Sequence, residues 1–178
     1  MLVKLLLSLS LIATLSVAQT LSFKEGSIKA HTEILGDSAI EPKSTKLQSR
    51  LSLSDTSIES LRGELILPLS TLKSDNEKRD SHMYETLHTK ESPNTSFKIL
   101  SATPMQDGYQ LIGILTLNQK PKEVKTLAKI DATKETVKLV GDFSFNLSDF
   151  SLEPPTLLFL SVRDQIDIHY DVTLAIHE

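Results

Sequence analysis

Residues 162–176 read VRDQIDIHYDVTLAI, and from Ile166 the stretch alternates without a break. Ile166, Ile168, Tyr170, Val172, Leu174 and Ile176 fall on one face. Asp167, His169, Asp171, Thr173 and Ala175 fall on the other. Successive side chains of a strand point to opposite faces, so this is a long strand with one apolar and one wet side. Such a strand belongs to an antiparallel sheet that covers something apolar on one side only.

Working back from this strand, the same signature recurs. Leu47, Ser49, Leu51 and Leu53 alternate with polar residues, and Ile58–Leu69 is the next strand expected. Ser96–Thr103 carries Phe97 and Ile99. Asp107-Gly108 signals a turn into Tyr109–Leu117, with Tyr109, Leu111, Gly113, Leu115 and Leu117 on one face. Residues 118–122 make the next connection. A strand over Glu123–Ala132 carries Val124, Leu127 and Ile130, and Thr136–Leu147 carries Phe143 and Phe145. Thr20–Leu35 is the weakest strand. Gly36–Lys46 reads as a loop, and so does the stretch around Pro154-Pro155. About eight strands with regular turn signals specify an all-β sandwich or barrel. One short helix interrupts them between Ser74 and His88. Ser74 with Glu77 forms a capping-box pattern, and Met83, Tyr84 and Leu87 supply a packing stripe.

At the N-terminus, Lys4 precedes an apolar run from Leu5 to Val17, and Ser16 and Ala18 are small residues ahead of Gln19. This pattern predicts a secretory signal peptide over residues 1–18, too short for a membrane anchor, and one domain over 19–178. The expected location is the periplasm, or outside the cell. The chain has no Cys, which removes disulfides, thiolate metal sites and Cys nucleophiles. Net charge is −4 with acids and bases mixed, which argues against nucleic acid. The five His form no metal-binding spacing, and no nucleophile elbow or phosphate loop is present. No enzyme, metal or cofactor is expected. Asn94-Thr95-Ser96 and Asn146-Leu147-Ser148 are glycosylation sequons by pattern only.

Three blocks resemble the YceI-like family. Arg79-Asp80-Ser81-His82, followed by Pro93 and Phe97, is similar to its R-D-x-H … P … F segment. Gly113 to Asn118, followed by Lys122 to Leu127, is similar to its G-x-L-T-L-x-G-x-T-K-P hairpin, with Asn118-Gln119 in place of the glycine turn. Asp149-Phe150 and the run after Val162, with Asp164, resemble its closing strand pair. Phe23 is the only aromatic residue between positions 21 and 50, fewer than the family carries there.

The resemblance implies an extended, lipocalin-like antiparallel barrel that holds a long-chain isoprenoid or a similar lipid in its lumen. The lumen candidates are Leu65, Leu67, Phe97, Ile99, Leu111, Leu115, Leu117, Phe143, Phe145, Ile166, Ile168, Tyr170 and Val172. Arg79, Asp80, His82 and Tyr84 are candidates for a polar mouth that meets the ligand head group. The same helix start also reads as a solvated terminus with an Arg79–Asp80 pair. The alternative for the whole chain is an exported barrel or sandwich with a filled core that binds another protein. A homodimer is compatible with either reading, and neither makes the chain an integral membrane protein.

Overall fold

The structure, a computed structural model, describes residues 18–34, 38–55, 57–157 and 160–177. The expected signal peptide lies outside the described residues except for Ala18.

In chain order the strands are β1 (Gln19–Ile34), β2 (Ser38–Ile40), β3 (Lys43–Ser44), β4 (Gln48–Leu53), β5 (Arg62–Pro68), β6 (Asn94–Met105), β7 (Gly108–Leu117), β8 (Lys120–Ala132), β9 (Thr136–Asn146), β10 (Thr156–Leu157), β11 (Leu160–Ser161) and β12 (Gln165–His177). One α-helix, α1 (Glu77–Thr86), stands between β5 and β6. Strands β12, β9, β8, β7, β6, β5, β4 and β1 pair in that order, and β1 pairs back to β12. This closes an eight-stranded antiparallel barrel. The short β2 and β3 add to β1, while β10 and β11 form a separate hairpin.

The inward rows are the apolar rows of the sequence. On β12, Ile166, Tyr170, Val172 and Leu174 are buried. The outward row carries Asp167, His169 and Asp171. Lys125 and Lys129 face outward from β8 and Lys138 from β9. A membrane-spanning barrel wears its apolar band on the outside, so this arrangement is the reverse of one. Among the described residues no helix is long and apolar enough to cross a membrane.

Two bulges explain where the periodicity was hard to read. On β1 the register shifts between Phe23 and Glu25. Leu21 and Phe23 face inward before the shift, and Ile28, Ala30 and Thr32 after it, so the parity changes from odd to even. On β6 the register shifts between Ile99 and Ser101. Phe97 and Ile99 face inward, then Ala102, and Leu100 is left exposed. β1, the weakest strand by pattern, is one of the longest.

Several expectations need correction. Leu127 faces solvent at 64 % exposure, and the inward row of β8 is Val124, Thr126, Ala128 and Ile130. Residues 118–122 are not all connection. Asn118 and Gln119, with φ of 47° and 59°, form a two-residue turn of the kind hairpins prefer, and β8 resumes at Lys120. The Asn118 amide donates to the Phe150 carbonyl at 3.0 Å, and the Gln119 amide donates to the Ser92 hydroxyl at 3.2 Å. Pro121 is tolerated in the strand because β9 joins β8 only from Leu127 onward.

The stretch expected as one strand over Ile58–Leu69 contains 3-10 turns at Ile58–Ser60 and from Leu69, with β5 between them. The capping box is absent. Asn76 caps α1, its Oδ1 accepting the Arg79 N–H at 3.0 Å. Glu77 is the first helical residue, not the third, so it cannot reach back to Ser74. The loop expected over 36–46 includes β2 and β3.

At the β1 bulge Gly26 has φ of 129°, and a Cβ there would collide with the Asp171 carbonyl across the closing ladder. Gly26→Ala is therefore expected to destabilise the barrel by about 1–3 kcal/mol, measured as a lower urea midpoint at unchanged m-value.

Candidate functional site

The barrel interior is packed at one end and hollow towards the other. At the packed end the 3-10 turn sets Ile58 beside Leu53 and Leu61, all buried in one cluster with Leu21 and Leu174. None of these lines the cavity that follows. From there a cavity of about 680 Å3 runs towards α1. That is within the usual size range for small-molecule sites. Over this length the lumen is open, which speaks against the alternative of a core filled by its own side chains.

All thirteen residues expected on the lumen face line this cavity: Leu65, Leu67, Phe97, Ile99, Leu111, Leu115, Leu117, Phe143, Phe145, Ile166, Ile168, Tyr170 and Val172. They come from β5, β6, β7, β9 and β12. The aromatic members touch in a chain. Phe97 and Phe143 stack at 6.1 Å between centroids, and Phe143 lies 6.4 Å from both Phe145 and Tyr170. Phe145 meets Phe150 edge-on at 5.3 Å.

Two glycines make room for these rings. Gly113 lies under Phe97 and Gly141 under Tyr170, so close that a Cβ at either would strike the ring or its hydroxyl. An aromatic side chain lying across a strand glycine covers backbone that would otherwise be bare.

The sequence reading missed the β1 contribution. Ile28, Ala30, Thr32 and Ile34 line the cavity, as do Ile40, Pro42 and Leu47. The parity change at the bulge is the signal that finds the β1 set. Met83 and Leu87 also reach the cavity, besides packing against the core cluster that holds Leu67, Leu72 and Leu117.

The four mouth candidates separate. Arg79 and His82 line the cavity. Asp80 and Tyr84 do not, which corrects their place at the mouth. Asp80 is 3 % exposed, and its Oδ1 accepts the Ser74 N–H at 2.8 Å and the Ser74 hydroxyl at 2.7 Å. Its other oxygen lies 3.8 Å from Lys73 Nζ, so its ion-pair partner is Lys73 and not Arg79. Tyr84 donates its hydroxyl to the carbonyls of Leu72 at 2.6 Å and Ser70 at 3.0 Å. Both side chains hold α1 to the segment before it.

Among the polar groups of the lining, two meet on the wall. The Tyr170 hydroxyl lies 3.0 Å from Thr126 Oγ1, which itself donates to the Asp142 carbonyl at 2.8 Å. Outside the barrel, exposed polar pairs tie β1 to the segment between β2 and β3, and β12 to β9. Lys29 Nζ meets Glu41 at 2.8 Å, and His169 Nδ1 meets Asp142 at 2.7 Å. The Ser144 hydroxyl, with Gln165 and Arg163, holds the Asp167 carboxyl below its ordinary value. Exposed pairs of this kind contribute little individually. Among the described residues no three His, Asp or Glu are placed to hold a metal ion.

The model of the YceI-like domain matches residues 18–174. The chain belongs to the YceI-like family. No curated protein matches its sequence. Solved structures share the YceI-like fold at low identity. BcnA of Burkholderia cenocepacia superposes with a TM-score of 0.73 at 13% identity, covering 83% of this chain and 95% of that one. A polyisoprenoid binding domain from Saccharophagus degradans, implicated in plant cell wall breakdown, gives 0.66 at 9% identity, over 89% and 98%. The YCEI protein of Campylobacter jejuni gives 0.68 at 17% identity, over 81% and 89%.

Burial pushes the Tyr170 hydroxyl up from 10.0 to about 12. A raised phenol favours the protonated folded state. Its contribution to stability is complete below pH 10 and is lost as pH rises towards 12, because the unfolded chain ionises first. The urea midpoint of the protein should fall over that window relative to Tyr170→Phe, which lacks the group. Parallel curves for the two proteins would refute the assignment.

Proposed function

We propose that this chain binds one long-chain amphiphile, a polyisoprenoid or a lipid of similar shape, in the barrel lumen, and acts as a carrier or store and not as an enzyme. The observation that carries the reading is the cavity of about 680 Å3, whose strand-borne lining is almost wholly apolar. Each CH2 of a tail moved from water into such surroundings gains about 0.8 kcal/mol. A tail of a dozen such groups gains roughly 10 kcal/mol before the cost of ordering the flexible chain is subtracted. No charged contact is needed to hold it. The Saccharophagus degradans domain, named for polyisoprenoid binding, shares the fold and is consistent with this ligand class.

Export completes the proposal. The charged start, apolar run and small residues before Gln19 fit a cleaved signal, and β1 begins at Gln19. A protein that passes between membranes suits a ligand too apolar to cross water alone. Its acidic, mixed-charge surface suits a carrier that does not stay on anionic lipid.

The test is native mass spectrometry of residues 19–178 purified without detergent from a bacterial host, before and after organic extraction. A discrete added mass that leaves on extraction is expected. Ala30 offers a control, because it is a small side chain on the lumen wall. Ala30→Trp should keep the far-ultraviolet spectrum of the barrel and lose the added mass. A bare mass for the unsubstituted protein, unchanged after incubation with isoprenoids, would end the carrier reading.

A further inference from the structure

The cavity wall changes character at one end. Every strand residue that lines it is uncharged, and every charged side chain on the wall comes from α1. These are Lys78, Arg79 and Glu85, with His82 beside them. Lys78, His82 and Glu85 are exposed, whereas Arg79 is half-buried.

Among the described residues no acid forms an ion pair with Arg79, though Asp75 and Glu77 stand at the same helix start. Asp80, its neighbour in sequence, points away and is held by Ser74 and Lys73. Glu85 lies six residues further along the helix, about 9 Å in axial rise. Among the described residues neither Lys78 nor Arg79 has an ion-pair partner, whereas Arg163, next to the wall residue Val162, is occupied by Asp167 at 2.6 Å.

We propose that this mouth selects amphiphiles with an oxyanion head group, a carboxylate or a phosphate, with Arg79 as the main recognition residue and Lys78 as its support. The inference rests on the lumen holding a lipid and adds the head-group class. A guanidinium presents a planar fork of donors that matches a carboxylate or phosphate edge. Its half-buried position shields the contact from the screening that weakens exposed pairs. A seated neutral head group would cover Arg79 without supplying a counter-charge, so neutral lipids are disfavoured at this position. The shared chemistry is an oxyanion on a long apolar tail, whether the source is a fatty acid or a lipid monophosphate.

The experiment is displacement of a long-chain fluorescent probe from lipid-stripped protein by four ligands of one tail: oleate, oleyl phosphate, oleamide and oleyl alcohol. Oleate or oleyl phosphate should bind more tightly than oleamide and the alcohol by about tenfold, equivalent to about 1.4 kcal/mol. The stronger of the two anions identifies the source. In the double variant Lys78→Gln, Arg79→Gln the ratio of anion to oleamide affinity should fall to about one while the thermal midpoint stays unchanged. Equal affinity for all four head groups would overturn the head-group inference and leave the lipid reading standing. A preference that survives in the double variant would overturn it too. Failure of all four to displace the probe would instead remove the lipid reading beneath it.

Discussion

A side chain in a closed barrel has two destinations, the lumen or the outer surface, and the backbone alternates between them at every residue. That constraint organises this molecule. The eight strands send apolar rows inward and mostly polar or charged rows outward, so one set of residues builds both the core and the candidate binding surface. Nothing separates stability from function in space along the wall. Leu111, Leu139 and Val172 are almost completely buried and still line the cavity. The distinction lies along the axis instead. Ile58, Leu61 and Leu53 fill one end, and the aromatic residues further along lean across glycines and leave space between them.

The barrel wall was legible in the sequence wherever alternation ran unbroken. The thirteen residues from Leu65 to Val172 expected to share a face do share one, because five strands keep a single parity long enough to be read. β1 did not, since a bulge after Phe23 moves its apolar row from odd to even positions. A period-2 search over Thr20–Leu35 averages the two halves to nothing. Leu127 is the converse case. It is an apolar residue on the wrong parity, and Thr126 on the buried row is satisfied by its hydrogen bonds to the Asp142 carbonyl and the Tyr170 hydroxyl.

The helix shows where local pattern fails for a tertiary reason. Ser74 and Glu77 have the spacing of a cap, but Ser74 is drawn to Asp80, whose burial against Lys73 and Ser74 no local rule contains. Tyr84 looked like a mouth residue and is a tether, because two backbone carbonyls before the helix compete for its hydroxyl. What remains at the opening is a helix face set by these two anchors. Its cationic character follows from where Asp80 is not.

The ladder between β1 and β12 joins Thr20 to His177 and His31 to Asp167. It links the two ends of the folded chain, so the earliest strand to leave a ribosome or a translocation channel must wait for the last. Until then, among the described residues, β1 has as partners only β4 near its start and the short β2 and β3. Pairings this distant in sequence are slow to find, and most of a long strand edge stays open while they are sought. The vulnerable period for this protein is therefore its own synthesis. A molecular chaperone, if it meets this chain, has most to protect in the residues from Phe23 to Thr32.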